Sequence, residues 1–197
     1  MLIKFMLDPV ANTVAVIVLI AMVASVFYIG YRYIQGAVPK FKIRGWVVPA
    51  LALAGLAVAL YLTYVETTKV EAVCGPVGDC NSVQQSPYAY LFGIIPVGIF
   101  GAIGYLGILL AWGVQRFGPQ RYYKAAVLAI WVMSWFGVFF SIYLTFLEPF
   151  VIGATCVWCI TSAIIMTLLL WASTTPAMEL LLADSDDDLT ESQSMVE

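Results

Sequence analysis

Four cysteines are the residues best suited to chemistry in this chain, and their spacing sorts them into two dithiols. Cys74 and Cys80 form a C-x5-C in the one long polar loop. Cys156 and Cys159 form a C-V-W-C at the head of an apolar segment. A dithiol is oxidised to a disulfide and reduced again by thiolate exchange. One pair in water and one entering lipid can therefore hand electrons inward. The chain contains no histidine. That removes His-ligated haem, most zinc catalysis and every Ser-His or Cys-His nucleophile pair.

Gly75, Pro76 and Gly78 lie between the loop cysteines. Glycine permits tight turns and proline presets one φ angle. Such a loop can bring two Cα atoms within the ~4.4–6.8 Å that a disulfide needs. For the second pair, Pro149 fits the first turn of a helix, where its missing N–H costs nothing. Cys156 and Cys159 then share one face at i and i+3. At ~1.5 Å per residue, Cys156 is expected about 10 Å along that helix and Cys159 roughly 4–5 Å deeper.

The elements that must hold these sulfurs are membrane helices. The chain is 62% hydrophobic and 11% charged, with a mean hydropathy of +0.95, more apolar surface than a soluble domain can hide. Residues 9–31, 45–65, 81–115, 125–147 and 149–178 carry no charge. Each is long enough to cross a hydrocarbon core, which takes ~20 helical residues. The expected spans are 10–33, 46–66, 90–114, 125–147 and 150–173. The first apolar run exceeds the ~7–15 residues of a signal-peptide core, so a retained helix is expected.

Basic residues set the orientation. Arg32, Lys40, Lys42 and Arg44 fall between helices one and two, and Arg116, Arg121 and Lys124 between helices three and four. The positive-inside rule puts both loops in the cytoplasm. All four cysteines then land on the outer side, where disulfides persist. Residues 174–197 read as an acidic, disordered cytoplasmic tail. The absence of a basic face excludes a nucleic-acid partner.

Two segments repeat. Tyr61-Leu-Thr-Tyr-Val-Glu66 and Tyr143-Leu-Thr-Phe-Leu-Glu148 each precede a cysteine by the same distance. They are either two repeated hairpins or two aromatic belts at similar membrane exits. Electrons reaching Cys159 need a lipid-soluble acceptor, and a quinone takes two electrons and two protons. Both protons come from the dithiol, so the proton balance closes without a buried acid or base, and no Asp, Glu, Lys or Arg interrupts the helices, Arg32 and Glu66 standing only at span ends. That absence argues against a proton-driven pump or an ion-coupled transporter. Inert disulfides bracing the outer face, or a four-cysteine zinc site with an unusual C-x5-C, remain as alternatives.

The cysteine segments resemble the vitamin K epoxide reductase family, in particular its bacterial branch. The likeness covers roughly residues 46–172. It rests on Cys74-Gly-Pro-Val-Gly-Asp-Cys80, the following Asn-Ser-Val-Gln-Gln-Ser-Pro-Tyr-Ala to Ala89, and Phe92-Gly93 with Pro96. Its strongest stretch is Tyr143-Leu-Thr-Phe-Leu-Glu-Pro-Phe-Val-Ile-Gly-Ala-Thr-Cys-Val-Trp-Cys159, followed by Ser162-Ala163. The resemblance implies an all-α membrane protein: a four-helix bundle at 46–173 around a quinone, plus an extra N-terminal helix and basic loop at 1–45. It implies that Cys74 meets a soluble thioredoxin-fold partner, Cys80 relays to Cys156, and Cys159 reacts with the quinone, ubiquinone or menaquinone. Ser86 matches a serine near the redox centre. Phe92, Tyr88 and Phe150 are candidate quinone-pocket residues. Trp158, between the inner cysteines, is expected to pack.

Two features depart from the animal enzymes. They carry a tyrosine where this chain has Ala163, and an asparagine that contacts the quinone, whereas residues 90–114 contain none. A quinone or epoxide reductase is therefore the second reading, and a disulfide-braced membrane subunit the third. The first is a multi-pass cell-membrane enzyme that oxidises a separate thioredoxin-like protein outside the cytoplasm. No metal is expected.

Overall fold

The computed structural model describes residues 5–38, 45–75, 78–91 and 93–194. Lys40, Lys42, Arg44, Pro76 and Phe92, all named above, lie outside them. Five long apolar helices pack together, each long enough to cross a membrane. They are α1 (Pro9–Ile34), α2 (Val47–Thr68), α4 (Val97–Phe117), α5 (Tyr123–Leu147) and α6 (Val157–Ser194), with a one-turn α3 (Cys80–Gln84) in the loop between α2 and α4. The protein is therefore an all-helical, multi-pass membrane protein.

Large side chains such as Phe27, Leu53 and Leu110 are exposed on the outside of the bundle. Lipid, not water, solvates such a surface, so a helix can be apolar all round. Inside, Met22, Ile29, Tyr105, Ile108, Val138, Ala163, Leu169 and Leu170 form one core. Small residues let the backbones close in, as they do between membrane helices generally. A Cβ on Gly55 would collide with the Tyr105 ring, which is how α2 and α4 approach each other. The helix α1 packs on α5 and α6, with Tyr28 stacked on Trp171.

Three expected boundaries move. The third span starts at Val97, not at residue 90, because Tyr90–Leu91 and Ile95–Pro96 pair as a two-residue antiparallel hairpin, β1 and β2. The fifth starts at Val157, not at 150. Pro149 does not open it. Glu148–Ile152 instead widens the end of α5 into a π-type turn, closed by Gly153 at φ 89° with its N–H on the Glu148 carbonyl. The missing N–H of Pro149 suits such a widened turn as well as it suits a helix start. Cys156 thus stands just before the first turn of α6 instead of about 10 Å along it. The last helix also continues past 173. Thr174, Ala177 and Met178 are fully buried, and residues 174–194 are helical where disorder was expected.

Candidate functional site

The loop between α2 and α4 places the first dithiol. Asp79 caps α3, its carboxylate accepting from the Ser82 N–H at 3.0 Å, the usual role of Asp at a helix start. The hydrogen bonds from Ser82 hold the Asp79 carboxyl below its ordinary value. Cys80 is therefore fixed at the first position of α3 and is fully buried. Cys74 is half-buried and disulfide-bonded to it, with Cα atoms 6.0 Å apart. The more accessible sulfur is thus the one upstream.

The inner dithiol is tied to that loop by backbone. The Asp79 N–H donates to the Thr155 carbonyl at 3.1 Å. These two residues immediately precede Cys80 and Cys156, so one bond sets the two cysteine-bearing segments side by side. Cys80 and Cys156 are both at 0% exposure and belong to one apolar cluster. Cys156 and Cys159 are free thiols. Gln84, one turn beyond Cys80 on the same face of α3, points its Nε2 at both, 3.7 Å from the Cys156 sulfur and 3.6 Å from that of Cys159. Trp158 packs as expected, on Tyr61 at 4.7 Å between ring centroids. Its indole N–H also donates to the Val73 carbonyl at 2.9 Å, and the Val73 N–H donates to the Tyr61 hydroxyl. The C-V-W-C thus holds the loop from below.

The extra first helix reaches the same place. Asn12 is fully buried. Its amide donates to the Gly153 carbonyl at 3.4 Å, and it accepts from the Thr155 hydroxyl at 2.9 Å. Asp8, the cap of α1, accepts from the Gly78 N–H at 3.0 Å. The start of α1 therefore grips both segments that carry cysteines, the α2–α4 loop and the run into Cys156.

Two cavities meet at Cys159. The larger, about 440 Å3, lies between α2, α4, α5 and α6 and is lined mainly by apolar residues, among them Phe100, Ile108, Phe136, Phe140 and Met166. The smaller, about 40 Å3, is lined by Glu66, Gln84, Ser86, Tyr88 and Glu148. Leu62, Val97, Leu144 and Cys159 line both. Ser86 donates to the Val83 carbonyl at 2.7 Å. Phe150 lines neither cavity and packs instead on Phe5 and Phe146. Ala163 is on the wall of the larger cavity. Close by, the Tyr105 hydroxyl enters from α4 and hydrogen-bonds to Ser162 at 2.9 Å.

One expectation is overturned. The site does hold buried acids. Glu66 is 4% exposed and Glu148 1%. Each ends one of the two repeated segments, and each turns inward to accept a backbone N–H. Glu66 takes that of Gly98 at 2.9 Å, and Glu148 that of Cys156 at 3.1 Å. Neither stands out in the sequence, because each is the charge at the edge of a charge-free window, Glu66 the last residue of its expected span and Glu148 the first beyond its own. The helices run past them: α2 continues to Thr68, and the π turn carries Glu148.

A family model described as "Vitamin K epoxide reductase family" matches residues 46–174, well over half of the chain. No curated protein matches it. The matched region holds all four cysteines, Gln84 and both buried glutamates, and excludes α1.

Proposed function

From the premise that this chain belongs to the vitamin K epoxide reductase family, whose members are thiol–disulfide oxidoreductases, we propose that it oxidises a soluble thioredoxin-fold dithiol outside the cytoplasm and delivers the electrons to a membrane quinone. One observation carries the reading. The four sulfurs follow one another from the half-buried Cys74 through the buried Cys80 and Cys156 to Cys159, on the wall of a large apolar cavity. The orientation is supported by Arg116 and Arg121, which lie at the opposite end of α4 and α5 from the cysteines.

The steps balance as disulfide exchange. A partner thiolate attacks Cys74, breaks the Cys74–Cys80 bond and frees Cys80. The partner's second thiol then releases Cys74 and closes the partner's own disulfide. Cys80 attacks Cys156 of the oxidised inner pair, breaking Cys156–Cys159 and freeing Cys159. Cys74 next attacks Cys80, re-forms the loop disulfide and releases Cys156. The inner pair now holds the two electrons, which is the arrangement of bonds in the structure. Three features ease these attacks. The Asp79–Thr155 bond holds the segments together, Gln84 orients the inner sulfurs, and the start of α6 directs backbone N–H groups and the positive end of its dipole towards Cys156.

The larger cavity fits a quinone by size and lining. Pockets of ~300–1,000 Å3 with apolar walls and a few polar groups hold ligands of that class. Here Phe100, Phe136 and Phe140 would pack on it, and Cys159 would face its ring. A bound quinone accepts two electrons and two protons, which resets Cys156–Cys159 to the disulfide.

Alkylation in native membranes tests this. After loading with a reduced thioredoxin-like donor, Cys156 and Cys159 should both take a thiol-specific label. Adding quinone should remove that labelling within turnover time. Labelling that ignores quinone, at all four cysteines, would overturn the reading.

A further inference from the structure

The relay above uses the sulfurs and leaves two buried carboxyls unexplained. Glu148 and Glu66 face one small cavity from α5's terminal turn and from α2, and Cys159 lies on the wall of that cavity. The Glu148 Oε2 accepts the Cys156 N–H, and the carboxyl shares the wall of that cavity with Cys159. Its Oε1 is buried without a hydrogen-bond partner, and so is the Oε1 of Gln84 on the same cavity. An unpaired buried polar atom is costly, so two in one place mark a function more readily than a scaffold. The cavity, about 40 Å3, has room for a water that could bridge them.

Burying ionisable groups at membrane depth is expensive, and such groups mark proton or ion paths. The chemistry here needs a proton path. Converting the inner dithiol to its disulfide breaks two S–H bonds and forms one S–S bond. The two electrons and two protons end on the quinone, which gains two O–H bonds. The electrons leave through sulfur. Cys159 opens on both cavities, and a proton route from the small one to the large one passes Leu62, Val97 and Leu144, which line both.

We propose that Glu148 and Glu66 carry these protons, Glu148 taking them from the inner thiols and Glu66 sharing them across the small cavity. This rests on the reading that the inner dithiol reduces a quinone. Glu148 faces the Cys159 thiol across the small cavity and, in taking its proton, acts on the reacting atoms. Glu66, held by Gly98, sits across the cavity as its relay. Gln84 is a positioning residue, fixing both sulfurs. Each carboxyl ends a turnover as it began it, so no further acid or base is consumed. The duplicated Leu-Thr-x-x-Glu ends of α2 and α5 thus supply a matched pair of carriers from two sides.

The full-length protein tests this in lipid, in two ways. The first needs no quinone. The inner dithiol is oxidised chemically with diamide, and the reduced-minus-oxidised infrared difference spectrum is recorded. A carboxylic-acid C=O band that shifts in deuterium oxide is expected in the unmodified protein and should vanish in Glu148→Gln. The amide of Gln still accepts the Cys156 N–H, so a purely structural role would leave the reduction and oxidation of the pair intact. The second measures turnover. Glu148→Gln should lower quinone reduction on the order of 10²-fold, the usual size of a lost general acid–base group, and Glu66→Gln should lower it by a smaller factor. Capture of a soluble partner at Cys74 should be unchanged in both.

No carboxyl band in the unmodified protein, or both variants turning over within twofold of it, overturns the proposal. If Glu148→Gln does not fold, the unmodified protein's spectrum and Glu66→Gln decide. A Cys159→Ser variant separates the two claims. If it still reduces quinone, the functional reading fails. If it is inactive while the Glu variants are normal, only the proton assignment fails.

Discussion

Replacing Cys159 by Ala should stop quinone-coupled turnover, with a loss on the order of 10³-fold or more, while the protein still captures a reduced thioredoxin-like partner at Cys74. Loss of a reacting nucleophile has effects of that size or larger. The split follows from where the sulfurs sit. Cys74 is half-buried in the α2–α4 loop, joined to Cys80, and can be attacked without any inner thiol. Cys159 is the sulfur that lines both the apolar cavity and the carboxyl cavity. Its loss should leave the outer exchange intact and cut the path to lipid. Quinone consumption and partner capture, measured on the same preparation, check both halves. Quinone reduction at the normal rate would remove Cys159 from the path.

The second large effect falls on a residue with no reactive group. Gly78 has φ +93°, and a Cβ there would stand 2.6 Å from the Thr155 carbonyl oxygen. That oxygen is also the acceptor for Asp79. Left-handed backbone costs a non-glycine residue about 1–2 kcal/mol, and the collision adds to that. Gly78→Ala must therefore push the loop off the Thr155 segment and carry Cys80 away from Cys156. Transfer between the two dithiols should slow about tenfold or more, since about 1.4 kcal/mol is a factor of ten. Rapid-quench labelling of Cys156 after mixing oxidised protein with a reduced partner reads this step alone. Gly75→Ala is the control. A Cβ at Gly75 meets nothing within 4 Å, and its φ is not positive. Equal rates in the two variants would show that the Asp79–Thr155 contact does not govern exchange.

The parts of this site that were legible in the sequence are those that depend on residue type alone. Cysteine reports its chemistry wherever it stands, and apolar runs of twenty residues report helices whatever packs beside them. The four sulfurs and the five spans could thus be read directly. What escaped depends on where a chain turns. Counting charge-free windows put Glu66 at the last position of its span and Glu148 in the turn beyond its own, because each is the charge that ends a window. Their direction inward is set by the further turns of α2 and by the π turn after α5. Gln84 could not be singled out without knowing that α3 begins at Cys80 and lasts one turn, which puts residue 84 beneath it. Pro149 was compatible with either side of the α5–α6 boundary. The choice between them belongs to Gly153, whose left-handed backbone ends the turn.

The first helix gives the same lesson in reverse. Asp8 and Asn12 look like a cap and a stray amide at the head of an apolar run. Only the fold brings Gly78, Gly153 and Thr155 to them, from 70 to 143 residues away in sequence. The helix lies outside the matched family region, yet its outer end braces both dithiol segments. Buried amides and carboxylates of this kind fix one arrangement of neighbouring chains, because any other arrangement leaves them unpaired.

The relay depends on a bond between Cys80 and Cys156, and that bond can be isolated. In a Cys74→Ala/Cys159→Ala double variant each dithiol keeps only its inward- or outward-facing partner sulfur. Mild oxidation in membranes should join Cys80 to Cys156 within one chain, seen by peptide mapping without reductant. If both cysteines stay free to alkylating agents under conditions that fully oxidise the unmodified protein, electrons do not pass from the loop to the inner pair by this route.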